Sequence, residues 1–134
     1  MRFRNLWVLF SFLILTLVLS ACTPTPKVSN FYMATDDLGN NKTSTFSPSE
    51  AFNLFFDVHG VPNETPFEAR WYVLTIANQD PNTPFQVMDQ NYSSDSTTLR
   101  FHLTNTSDWP IAQYRVDVYM SGDKIGEVQF SVSR

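Results

Sequence analysis

Residues 112–132 read AQYRVDVYMSGDKIGEVQFSV, and their period is two. Tyr114, Val116, Val118 and Met120 alternate with Arg115, Asp117 and Tyr119, and Val128, Phe130 and Val132 alternate again after Ser121-Gly-Asp-Lys124. Successive strand side chains point to opposite faces, so this alternation marks strands with one buried face, and the Ser-Gly-Asp break predicts a hairpin between them.

The same period recurs upstream. Phe52, Leu54, Phe56 and Val58 share one face, leaving Asn53, Phe55 and Asp57 outward. Phe67, Ala69, Trp71 and Val73 form a second inward row, and Leu99, Phe101 and Leu103 a third, against Arg100 and His102. Weaker strands are expected near residues 30–35 and 85–91. Turn signals separate these runs: Phe46-Ser-Pro-Ser49, His59-Gly-Val-Pro-Asn63, Asn78–Pro84 and Ser93–Ser96. About seven short strands in one domain predict an all-β fold, a single antiparallel sandwich.

Two features carry a resemblance to the immunoglobulin-like fold. Trp71 falls on the third strand, where that fold buries a tryptophan. Ala112-Gln-Tyr-Arg-Val116 resembles the tyrosine-corner segment, with Tyr114 two residues before the inward position that antibody domains fill with cysteine. Val116 holds that position here, its partner is expected near Leu54, and Pro110 stands near the place of the usual aspartate. The chain therefore resembles the disulfide-free immunoglobulin-like modules of bacterial surface proteins; the expected role is binding or scaffolding as an accessory subunit, and the alternative is a ligand- or metal-handling module that uses His59 or the Asp36–Asn41 loop.

The first residues carry an address. Arg2 and Arg4 precede fifteen uncharged residues, Leu6–Ser20, the pattern of a secretory leader and short for a membrane span. Leu19-Ser20-Ala21-Cys22 resembles the bacterial lipobox. That resemblance implies cleavage before Cys22, a covalent lipid on its sulfur, and a domain held outside the cytoplasm on the cytoplasmic or outer membrane. Retention of the leader as an anchor is the alternative. The organisation expected is a signal segment over 1–21, a proline-containing tether over 22–29 and the sandwich over 30–134.

From residue 22 on, seven Lys and Arg face thirteen Asp and Glu, a formal charge of −6. Such a surface speaks against nucleic acid as a partner. With Cys22 acylated, no disulfide can form inside the domain, so the core must rest on its nine Phe, two Trp and five Tyr.

Motifs for chemistry are absent. His59 ends a strand and His102 faces outward; no serine sits in a nucleophile elbow, and an enzyme is not expected. Cu(I) ligation would need these histidines with Met33, Met88 or Met120, which lie at no close spacing. Asp36, Asp37, Asn40 and Asn41 surround Gly39 without the spacing of a calcium loop. No metal site and no cofactor beyond the lipid are expected. What remains is surface: Tyr72, Leu74 and Ile76 on the third strand and Tyr119 on the sixth are expected to share an outward face and to meet a protein partner. The alternative is that the Gln79–Gln90 connection covers Leu74 and Ile76.

Overall fold

A computed structural model describes residue 22 and residues 24–134; the apolar leader lies outside the described residues. Eight strands form two sheets: β1 (Lys27–Ala34), β2 (Thr45–Phe46), β3 (Phe52–His59), β4 (Pro66–Val73), β5 (Gln86–Asn91), β6 (Thr98–Leu103), β7 (Ala112–Met120) and β8 (Asp123–Val132). One sheet runs β1-β3-β6 and the other β2-β8-β7-β4-β5. All neighbours are antiparallel except β2, which lies parallel to the end of β8. The described residues contain no helix.

The alternating rows close on one another as the period demands. Phe52, Leu54, Phe56 and Val58 of β3 and Phe67, Ala69, Trp71 and Val73 of β4 are all buried. Phe52 is the centre of the packing. Its ring stacks on Trp109 at 4.4 Å and meets Phe46, Tyr114 and Phe130 edge-on at 5.0, 5.6 and 4.7 Å. Aromatic contacts of this kind add to the transfer of their area from water, and here they do so without a disulfide.

Ser121 and Gly122 join β7 to β8 with φ of 49° and 89°. Positive φ at both central residues is the two-residue turn whose twist matches paired strands. Val116 and Leu54, the positions expected where antibody domains place cysteines, are fully buried.

Several elements depart from the sequence reading. β1 begins at Lys27, inside the stretch expected as tether, because Lys27, Val28 and Ser29 pair with His59, Val58 and Asp57 of β3. A bulge follows, with Asn30 at φ 57°, and Phe31 turns its ring onto Phe56 at 5.3 Å. Phe55 faces outward yet is buried, since the 35–42 loop lies over it and Tyr32 stacks on it at 5.3 Å. β2 is too short to show a period at all.

The registers define two ends. Lys27, His59, Pro66, Asn91, Thr98 and the 121–122 turn gather at one, the near end. There Pro24 and Thr25 lie against Gly60, whose φ is +64°. Ala34, Phe52, Val73, Gln86, Ala112 and Val132 gather at the other, the far end.

Candidate functional site

The outward face of the larger sheet is where sequence places the partner surface, and the structure builds it otherwise. Tyr72 pairs with Arg115 across β4 and β7, and the Arg115 guanidinium lies 4.4 Å from the Tyr72 ring centroid. The tyrosine is thereby buried, and desolvation, then the Tyr119 phenol and the Asp117 carboxylate, push its hydroxyl up. Arg70 covers Tyr119 in the same way at 4.1 Å and also pairs with Glu68. Such cation–π contacts hide the aromatic faces under charge.

Asp117 sits in the middle of this lattice with only 3% of its surface exposed. Arg115 Nε lies 2.9 Å from it and Lys124 Nζ 3.3 Å from it, and Lys124 also donates to Glu127 at 3.1 Å. The hydrogen bond from Lys124 holds Glu127 below the usual carboxylate range.

Leu74 and Ile76 do not extend the face. The chain leaves the sheet after Val73, where the Leu74 amide donates to Gln113 O, and Asn78 turns with φ of 66°. Ile76, two residues ahead of that turn, packs against the core. The four residues expected to form one patch are therefore two tyrosines under guanidinium groups, one strand-end leucine and one isoleucine on the opposite side.

The remaining candidates are scattered. His59 and His102 sit at opposite ends of the β3 ladder, about 20 Å apart at the strand rise. His102 Nδ1 lies 2.7 Å from the buried Asn53 Oδ1. Met33 is in the core, and Met88 and Met120 pack on its margin. Asp36 accepts backbone N–H groups from Asn41, Asn40 and Leu38 at 2.6, 3.0 and 3.3 Å, which hold its carboxyl below the usual range, the Asn41 bond foremost. Asp37 pairs with Arg100 at 3.0 Å. Cys22 is exposed.

A concave site lies instead at the far end. A hollow of about 240 Å³ opens between the 74–85 and 104–111 connections, walled by Ile76, Phe85, Trp109 and Tyr114, with Gln79 and Asn105 also in its lining. A second hollow of about 90 Å³ lies across Trp109, against Ser49, Glu50 and Thr104. Trp109 is fixed from both sides: its backbone N–H donates to Pro48 O at 2.8 Å and its indole to Glu50 O at 2.9 Å. Tyr114 donates to Pro110 O at 2.6 Å, the hydrogen bond of a tyrosine corner. Burial pushes the Tyr114 hydroxyl up to about 12. On the other wall, Asp80 accepts from the Asn82 amide at 2.9 Å and Thr83 Oγ1 at 2.8 Å, which pins the connection carrying Phe85.

Phe85 lines this hollow with 41% of its surface exposed, and Ile111, next in the chain to Pro110 of its lining, has 54% exposed. Sequence reasoning missed both. The sequence pattern marks Phe85 only as the start of a weak strand and leaves Ile111 unmarked, although the Trp109-Pro110 pair lies close to Tyr114 in the chain.

The sandwich is similar to an immunoglobulin-like protein from Pseudomonas aeruginosa, with a TM-score of 0.61 and 10% identity over 84% of this chain and 99% of that one. It is also similar to the alkylpurine DNA glycosylase AlkC of Pseudomonas fluorescens, solved bound to DNA with an abasic site analogue, with a TM-score of 0.52 and 12% identity. That match covers 81% of this chain but 30% of the glycosylase. No family model matches the chain, and no curated protein sequence matches it. At 10 and 12% identity what is shared is the fold, and the chain is an immunoglobulin-like β-sandwich.

Proposed function

We propose that this protein is a lipid-anchored extracytoplasmic binding module, fastened through Cys22, which engages a protein partner with the far end of its sandwich. One observation carries the reading. The exposed Phe85 lines an aromatic-walled hollow at the end opposite the Pro24–Gly60 contact, and the exposed Ile111 follows Pro110 of that lining in the chain. Exposed apolar surface beside a rigid concavity is the usual form of an interaction site. The broad outward face of the larger sheet is a poorer candidate, because Arg70 and Arg115 already cover its tyrosines. On this reading the module is an accessory subunit of an envelope or membrane assembly and carries out no chemistry of its own.

The test is photo-cross-linking in the producing cells. A benzophenone amino acid replaces Ile111 in one strain and Gln90, near the opposite end, in another. A discrete protein adduct from position 111 alone is the expected result. Equal labelling at both positions, or an adduct only at 90, overturns the assignment of the far end. Mass spectrometry of the amino-terminal peptide from the same membranes must show an acylated Cys22; a peptide beginning at Met1 overturns the anchor.

A further inference from the structure

We propose that the far-end hollow seats one large apolar side chain of an extended, basic peptide segment, with a neighbouring lysine or arginine meeting Glu50. This rests on the reading of the far end as the partner surface and names the partner's chemistry.

Size sets the first limit. A cavity of about 150 Å³ holds benzene, so a hollow of about 240 Å³ admits a phenylalanine or leucine side chain. It is smaller than the clefts of roughly 300–1,000 Å³ that enclose whole ligands. Phe85, Ile76 and Tyr114 supply apolar walls, while Gln79 and Asn105 in the lining bring amide donors and acceptors that suit a peptide backbone.

Charge sets the second. Among the described residues no Lys or Arg lines either hollow. Glu50 lines the smaller one, across Trp109 from the larger. The Glu50 Oε2 accepts from the Ser47 amide at 2.7 Å, which fixes the carboxylate in place. A cationic neighbour to the seated side chain is complementary to this rim, whereas an acidic one is repelled.

Ring exposure separates a peptide from a glycan. Sugars stack on an open aromatic face, but Trp109 is 8% exposed and Tyr114 2%. Phe85, the accessible ring, is tilted 57° to Trp109 and forms a wall and not a platform.

The full-length chain in phosphatidylcholine nanodiscs is titrated against two fluorescein-labelled peptides, Gly-Lys-Phe-Lys-Gly and Gly-Glu-Phe-Glu-Gly, by anisotropy. The lysine peptide is expected to bind at least about fivefold more tightly, the effect of roughly one charge pair. That preference should shrink with added salt and fall to about twofold or less in Glu50→Gln. Phe85→Ser, an exposed position whose loss leaves the core intact, should abolish binding. Equal binding of the two peptides overturns the proposal, as does unchanged binding in the Phe85 variant or displacement of the lysine peptide by chitotriose. Absence of binding by either peptide overturns it too. An adduct at position 111 then still upholds the far end as the partner surface.

Discussion

Phe31 occupies the room that a side chain on Gly126 would need: a Cβ built there would lie 2.6 Å from Phe31 Cζ. The bulge in β1 turns the Phe31 ring inward across β8, and Gly126 is the position that receives it. Any Cβ at 126 must displace an aromatic ring that is itself stacked on Phe56. Overpacking of this kind costs about 1–3 kcal/mol. Gly126→Ala should therefore lower the urea midpoint without changing the slope. Most of that loss should vanish in a Phe31→Ala background; equal losses in both backgrounds would show the ring is not the obstacle.

Tyr114 anchors the 104–111 connection through Pro110. Removing its hydroxyl in Tyr114→Phe deletes one hydrogen bond, a loss of about 1 kcal/mol. Alkaline titration gives the finer readout. The folded hydroxyl titrates at about 12, above the ordinary value near 10. The unfolded chain thus loses its proton first, and the associated stability is lost as pH rises from about 10 through 12. The difference in stability between wild type and Tyr114→Phe should narrow over that range. A constant difference would mean the hydroxyl is not shielded.

Asp117 is a buried carboxylate held by two cations. Arg115→Met leaves it with Lys124 alone and should cost about 2–3 kcal/mol, below the full penalty of an orphaned buried charge. Asp117→Asn added to that variant should recover part of the loss, and a double-mutant cycle measures the coupling. Lys124 is raised despite burial, by its bonds to Glu127 and Asp117, and Glu127 is lowered, mainly by Lys124. The carboxylate's share therefore fades as pH falls through its folded value, and the lysine's as pH rises through its own. Additive single losses in the cycle would refute the coupling.

Asp36 organises the 35–42 loop by accepting three backbone amides. Asp36→Ala leaves those amides to water, and hydrogen exchange at Asn40 and Asn41 should accelerate several-fold while exchange in β7 stays unchanged. Because its carboxyl is lowered, the loop's protection should be complete near neutrality and decline in acid. Unaltered exchange at Asn41 would rule out the carboxylate as the organiser.

The inward rows were legible because alternation is local: Phe52–Val58, Phe67–Val73 and Tyr114–Val118 are buried in the rows read from the chain. Tyr114 and Trp71 were legible as fold markers through the resemblance to the immunoglobulin-like fold, not through period. Outward positions were not, since what covers them comes from elsewhere. Phe55 is roofed by a loop from residues 35–42, Tyr72 by a guanidinium one strand away, and Ile76 leaves the row because the sheet ends three residues earlier. The far-end hollow joins two connections about 30 residues apart in sequence, and no period within either one announces it.

The contact of Pro24 and Thr25 with Gly60 sets a height as well as a direction. If the chain is fastened at Cys22 as proposed, few residues precede its first strand at Lys27, and the sandwich would stand on end with β4 as its measuring rod. Eight strand residues rise about 27 Å. Phe85 and Ile111 would thus be presented roughly that far above the lipid headgroups, out of reach of any partner that lies flat on the bilayer. Only something that projects into the same layer could meet them.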